Sequence, residues 1–245
     1  MFFPESLIAI VLAAILVLFF GLLSDESTAF EGRGAMSLHS LDEYRSKRDF
    51  SSTPEPRARK RKGKKNTGNL FVIQEHAASS HHFDFRLQVG DVLRSWAVPK
   101  GPSTDPSEKR LALPTEDHPL EYAEFEGVIP EGEYGGGTVS VCDTGEYELI
   151  EKGEARSTTP MDEQLQDGHA TFRLKGSKIR GGYALTRIGS DRWLLVKMAD
   201  DEADARRNPV STEPESVLSG RTLSQIAKEE GQTSQDGRSR PRRRS

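Results

Sequence analysis

The chain has 245 residues, 34% apolar and 29% charged, enough for one sizeable β domain or two small ones with some length left as unpacked tail. A net charge of −4 excludes global electrostatic attraction to nucleic acid, so any such binding must come from local basic patches. A single cysteine, Cys142, excludes an intramolecular disulfide framework and a cysteine-based zinc site, and is compatible with a reducing compartment.

Residues 7–23, LIAIVLAAILVLFFGLL, are uncharged and almost wholly apolar. A membrane span needs about 20 such residues, with about 17 as the lower limit. One reading is a short N-terminal anchor. Positive charge follows it at Arg33, Arg45, Lys47 and Arg48, which puts the body of the chain on the cytoplasmic side. The competing reading is a start at Met36, with residues 1–35 a misassigned extension. A cleaved signal peptide stands behind both, since there is no basic n-region and no A-x-A site.

Residues 24–40 read as linker, and 41–49, LDEYRSKRD, as a short helical turn broken by the prolines of TPEP at 53–56. Residues 57–65, RARKRKGKK, hold seven basic residues and no aromatic. The expectation is a solvated flexible loop; the functional alternatives are a phosphate-attracting arm or, in a eukaryote, a nuclear-targeting signal.

From Asn69 the pattern changes to short alternating or apolar runs separated by glycines. It predicts strands near 70–75, 82–88, 92–98, 110–114, 137–142, 145–150, 169–174, 181–188 and 192–198. No long helical repeat interrupts them. The fold class is therefore mainly β, a compact antiparallel β-barrel with short flanking helices. Residues 130–138, PEGEYGGGT, lack a Walker lysine and read as a tight hairpin turn. Residues 151–166 look like a surface excursion. RTLSQIAKE at 221–229 is expected as a short helix with Leu223 and Ile226 inward, and the polar tail after it as disordered.

The chemistry concentrates in QEHAASSHHFDFR, residues 74–86. Strand alternation puts His82, Asp84 and Arg86 on one face and Phe83, Phe85 and Leu87 on the other. A His-x-Asp pair alone is a weak signal; Gln74 and His76 on the preceding strand strengthen it. Two imidazoles and a carboxylate suit a divalent transition metal, and a fixed cation beside them suits an anionic substrate. His81 falls with the phenylalanines, so alternation selects His82. Downstream, Lys100, Arg110, His118 and Tyr122 are the side chains that phosphoryl transfer would use. Two rival classes remain open. One is a non-haem Fe(II) oxygenase completed by His118 or His169; the other is a non-catalytic module that binds nucleic-acid ends.

The segments QEHAASSHHFDFRL, SWAVPKGPS, KRLA, EDHPLEYAEFEGVIPEGEYGGGTV and SVLSGRT together resemble the 3′-phosphoesterase domain of bacterial ATP-dependent DNA ligase D, from about Leu41 to about Ala227. The resemblance implies a β-barrel hydrolase that heals DNA 3′ ends. A manganese-dependent diesterase step would remove a 3′-terminal ribonucleoside, and a monoesterase step would convert the 3′-phosphate to a 3′-hydroxyl. It implies metal ligands at His76, His82 and Asp84, for Mn²⁺ with Co²⁺ or Zn²⁺ as alternatives. Phosphate-contacting and catalytic positions fall on Arg86, Lys100, Arg110, His118 and Tyr122, with Gln74 beside the metal. KRDF and TPEP resemble the family's N-terminal arm and place Arg48, Asp49 and Glu55 at the site. The expected organisation is a hydrophobic segment and linker over 1–35, the phosphoesterase barrel over 36–228 with a basic loop at 57–68, and a disordered basic tail over 229–245. The hydrophobic N-terminus departs from the family pattern, and no polymerase or ligase module follows. The expectation is thus a monomeric, stand-alone cytoplasmic repair enzyme (nuclear in a eukaryote), whose partners are DNA 3′ ends and a separate ligase.

Overall fold

A computed structural model describes residues 40–58, 68–151 and 156–238, with side chains up to Glu230. The apolar segment at 7–23, most of the basic stretch at 57–65 and the last residues of the tail lie outside the described residues. Among those described, no helix is long and apolar enough to cross a membrane.

The described residues form nine strands, in chain order β1 Leu70–Ala77, β2 His81–Val89, β3 Val92–Val98, β4 Lys109–Pro119, β5 Gly127–Ile129, β6 Gly137–Leu149, β7 His169–Gly176, β8 Arg180–Arg187 and β9 Trp193–Lys197. Every pairing is antiparallel. The order β1-β2-β3-β4-β9-β8-β7-β6 closes through β6–β1 pairing into an eight-stranded barrel, and β5 adds to the free edge at the start of β6. Closure removes the exposed edges that an open sheet of this size would carry.

The barrel interior is filled by the inward residues of each strand, among them Phe71, Ile73, Phe85, Leu87, Trp96, Phe172, Leu185 and Leu195. Phe85 stacks on Phe172 with centroids 5.8 Å apart and lies 6.4 Å from Trp96. Tyr147 and Tyr183 also fill the interior, and their hydroxyls donate to the Gln88 and Ser103 carbonyls, so neither buried O–H is left without a partner.

A second apolar cluster lies on the outer face of β1, β3 and β6. Val72, Leu93, Val139 and Val141 pack there against Tyr44, Tyr122, Phe125 and Ile129. Tyr44 belongs to α1, Asp42–Ser46, and Tyr122 to a 3₁₀ turn over Leu120–Glu124. The N-terminal arm and this turn therefore clamp onto the barrel wall. Burial on both faces explains why β1 opens with the continuous run Leu70-Phe71-Val72-Ile73 instead of alternating.

Three departures from the sequence reading have local causes. The strands expected at 137–142 and 145–150 are one strand, β6. A register shift opposite Ile73 and Gln74 breaks its alternation near Cys142, and Gly145 is not a turn. Gly145 is needed because a Cβ there would stand 2.3 Å from the Lys175 carbonyl oxygen of β7. The excursion at 151–166 contains the start of α2, Met161–Asp167, whose Met161 and Leu165 enter the core from an otherwise polar segment. The helix expected over 221–229 is longer: α3 is Pro209–Thr212, and α4 runs from Leu223 to Arg238, anchored by fully buried Ile226.

Phe85→Ala should cost about 3–5 kcal/mol, as other large-to-small core substitutions do. Urea denaturation checks this; a loss under about 1 kcal/mol would mean that the stacked ring pair is not central to the barrel.

Candidate active site

β1 and β2 present the site by direct cross-strand pairing. His76 faces His82, Gln74 faces Asp84 and Val72 faces Arg86. One potential ligand atom from each of His76, His82 and Asp84 lies within 4.8 Å of the others. The far nitrogen of each imidazole is engaged by a backbone acceptor. His76 Nε2–H donates to the Gly135 carbonyl at 2.9 Å, and His82 Nδ1–H donates to the Ser80 carbonyl at 2.9 Å. A carbonyl can only accept, so these contacts fix both tautomers. His76 Nδ1 and His82 Nε2 face the Asp84 carboxylate at 3.5 and 3.7 Å. Locked imidazoles converging on a carboxylate are a donor set that fits a divalent transition metal. Gly135 sits at φ 75°, a conformation glycine adopts freely, and there its carbonyl meets His76. The hairpin expected at 130–138 is present, and it also supports a candidate ligand. His81 points away from the cluster, toward Glu75 at 2.8 Å and against Phe83.

Arg86 lies beside the cluster and is only 2% exposed. Its guanidinium meets Asp84 Oδ2 at 3.0 Å, Gln74 Oε1 at 2.8 Å, Ser95 Oγ at 2.8 Å and His118 Nδ1 at 2.9 Å. Its Cζ lies 4.9 Å from the centroid of the Tyr122 ring. Burial alone would raise the Asp84 pKa, but the Arg86 charge and the His76 contact hold the carboxyl well below the usual carboxylate range. The Gln74 amide donates to the Tyr122 and Phe125 carbonyls, each at 3.0 Å, and so fastens the 3₁₀ turn to the barrel wall.

The N-terminal arm supplies a second buried guanidinium. Arg48 pairs with Glu55 at 2.8 Å and Glu116 at 3.0 Å, and reaches His118 Nε2 at 3.4 Å. Lys47 also pairs with Glu116, at 3.2 Å. His118 is thus flanked by Arg86 and Arg48. Burial, then these two cations, push its imidazole well below the ordinary histidine value, so it is neutral near pH 7. The Tyr122 hydroxyl donates to Glu55 at 3.1 Å, and burial, then that carboxylate, push it well above the ordinary tyrosine value. It stays protonated and is not a nucleophile.

These groups line a cleft of about 210 Å³. Of the residues singled out in the sequence, His76, His82, Asp84, Arg86, His118, Tyr122 and Arg48 line it, and Gln74 and Glu55 stand directly behind. Asp49 is exposed and caps its own turn, accepting from the Ser51 backbone N–H at 2.9 Å. Lys100 is exposed two residues past the end of β3, and Arg110 lies on β4 paired with Glu108. The pairing of Phe83 with Val98 puts this end of β3 beside the His82 end of β2, so Lys100 belongs to the barrel rim there. Glu116 and Tyr134 line the cleft and were missed. Alternation could have found Glu116, which lies two residues before His118 on the same face of β4. Tyr134 carried no such signal.

The family model described as the DNA Ligase D 3′-phosphoesterase domain matches residues 74–187. The chain is 47% identical over 193 residues to the multifunctional non-homologous end joining protein LigD of Pseudomonas aeruginosa, covering 75% of this chain and 22% of that protein. It is 45% identical over 162 residues to the LigD protein of Mycobacterium tuberculosis, covering 66% of this chain and 20% of that one. For the Mycolicibacterium smegmatis protein the identity is 42% over 162 residues, covering 66% and 21%. The chain therefore spans about a fifth of the length of these relatives.

Because the folded His118 pKa is depressed, the unfolded chain takes up that proton first, near pH 6.5. This contribution to stability is complete above about pH 6.5 and is lost as pH falls toward the folded value. In EDTA, the His118 ring signals should not titrate between about pH 6 and 8, and His118→Gln should flatten the fall in stability below about pH 6.5. A ring titration midpoint near 6.5 would refute the assignment.

Proposed function

From the match of residues 74–187 to the DNA Ligase D 3′-phosphoesterase domain model, we propose that the chain is a metal-dependent phosphoesterase that heals DNA 3′ ends. It removes a 3′-terminal ribonucleoside by cleaving the phosphodiester, then removes the remaining 3′-phosphate to leave a 3′-hydroxyl. Its setting is the non-homologous end joining that the relatives' names carry, upstream of a ligase.

The observation that carries this reading is the charge balance of the cleft. Two cations, Arg48 and Arg86, and two carboxylates, Asp84 and Glu116, line it. A divalent cation on His76, His82 and Asp84 leaves the site two charges positive, and a phosphate monoester dianion restores neutrality. Manganese is the ion we assign, with Co²⁺ or Zn²⁺ acceptable to the same donors. Bound there, the ion supplies Lewis-acid polarisation of a phosphoryl oxygen and lowers the pKa of a coordinated water.

The protein's own groups do the rest. Arg86, fixed on four sides, directs positive charge at the phosphoryl oxygens where negative charge develops. Arg48 does the same from the arm. His118 acts as a neutral hydrogen-bonding group held between the two guanidiniums rather than as a general acid, because its environment disfavours the protonated form. Tyr122, Gln74 and Glu55 are positioning residues. Lys100 and Arg110, at the rim, meet phosphates of the strand as it leaves the cleft. The oxygenase alternative loses its proposed third ligands: His118 is enclosed by the guanidiniums, and His169 bonds Thr186 on β8 at 2.8 Å.

The test is a 5′-labelled primer-template with one 3′-terminal ribonucleotide, incubated with the full-length chain and Mn²⁺ or EDTA. Metal-dependent shortening to a 3′-phosphate and then a 3′-hydroxyl end is expected; an untouched primer with folded, metal-binding protein would defeat the proposal. His82→Ala should abolish both steps and weaken Mn²⁺ binding measured by EPR, while retained activity with unchanged metal binding would remove His82 as a ligand. Arg86→Ala should slow both steps by about 10²–10³-fold, the range for losing one preorganised transition-state donor.

A further inference from the structure

A groove of about 600 Å³ runs between the β1–β2 turn and the β5–β6 hairpin. Ala78, Ser79, Ile129 and Gly135 line both this groove and the catalytic cleft, so the two spaces are neighbours that share a wall. Its volume falls within the range of about 300–1,000 Å³ typical of small-molecule sites. Its walls are mostly glycine backbone and small aliphatic side chains, and among the described residues its only charged lining groups are Glu131 and Glu133. Sheet order fixes where it lies. The strands run β4-β3-β2-β1-β6-β5 across this wall, with the ligand-bearing β1 and β2 in the middle. Exposed Lys100 is on the β3–β4 side, where Arg110 is paired with Glu108, and the groove is on the β6–β5 side.

A DNA strand carries a phosphate at every step except beyond its terminal nucleoside. An acidic groove repels phosphates, but its carboxylates and backbone carbonyls accept hydrogen bonds from sugar hydroxyls. We propose that this groove receives the uncharged 3′-terminal ribonucleoside, the leaving group of the diesterase step, while the phosphate-bearing strand lies toward the β3–β4 rim. The aliphatic side chain of Val128, the half-buried residue of β5, meets the base, and the ribose hydroxyls face the acidic hairpin. This inference rests on the phosphoesterase reading and adds a polarity to it. The diester substrate uses both spaces, whereas a 3′-phosphate end uses the cleft alone.

The test uses the ¹⁵N-labelled full-length chain in EDTA, so that nothing turns over, with two oligonucleotides of one sequence. One ends in a ribonucleoside and the other in the preceding 3′-phosphate. Amide shifts that differ between the two complexes should cluster at residues 77–79 and 128–138. Differences elsewhere, no difference, or no binding of either oligonucleotide would overturn the groove assignment. A second measurement fills the groove with Val128→Trp, a position that lines the groove and not the cleft. With Mn²⁺, its kcat/KM on the ribonucleoside end should fall at least about tenfold relative to that on the 3′-phosphate end, about 1.4 kcal/mol of lost discrimination. Equal effects on both ends would count against the proposal. If the wild-type chain hydrolyses neither end, the phosphoesterase reading fails, and the amide differences still decide what the groove holds.

Discussion

The site depends on one buried cation. A guanidinium as enclosed as that of Arg86 is stable only if its donors are met, because an unpaired charge in the interior costs several kcal/mol. Meeting them recruits each wall of the cleft. Asp84 comes from the same strand, Gln74 from β1, Ser95 from β3 and His118 from β4. The requirement then passes outward. Asp84 is held ionised and oriented toward His76 and His82, and Gln74 turns its amide to the carbonyls of Tyr122 and Phe125. The candidate metal ligands, the general shape of the cleft and the docking of the 3₁₀ turn thus share one electrostatic cause.

Arg48 plays the corresponding part for the N-terminal arm. Apart from the short helix α1, the arm has little regular structure, so its position cannot come from backbone pairing. It is held to the barrel by Tyr44, whose ring packs on His118 at 5.2 Å, and by the ion pair of Arg48 with Glu116. Within the arm, the Tyr44 hydroxyl donates to the Pro56 carbonyl at 2.7 Å and Arg48 pairs with Glu55. Both carboxylates are buried, and each would be costly without its partner. The arm and the barrel therefore complete each other: without Arg48, Glu116 would keep the more exposed Lys47 and the Tyr134 hydroxyl, and without Glu116 the arm would lose an anchor beside His118.

Much of this was legible in the chain, for reasons specific to each element. The alternation of β2 separates Phe83, Phe85 and Leu87 from His82, Asp84 and Arg86 because one face fills the barrel and the other lines the cleft. The barrel itself follows from many short strands and glycine turns. The direct pairing of His76 with His82 was not legible, since it depends on the register that the turn between β1 and β2 imposes. The two-strand reading of β6 failed because a register shift near Cys142 looks, in sequence, like an interruption. The start of α2 was hidden because two buried apolar residues four apart make a weak helical signal. Glu116 was visible by the rule that selects His82, since it stands two residues before His118 and lines the same cleft. Asp49 and Glu55 both came from the resemblance, but only Glu55 is turned inward, because Asp49 is occupied with its own turn.

The neutrality of His118 follows from this arrangement. A histidine between two guanidiniums cannot easily take a proton, yet its ring is needed there because both nitrogens lie near cationic donors and the face packs on two tyrosines. A lysine or arginine in its place would add a third positive charge to a closed space, and an alanine would leave the guanidiniums to approach each other across a void. Neutral imidazole separates them without adding charge of its own. The positive potential of the cleft is thereby divided between two fixed points, one on the barrel and one on the arm, on either side of the ring. An anion entering beside Asp84 is met from both, which neither the barrel nor the arm could provide alone.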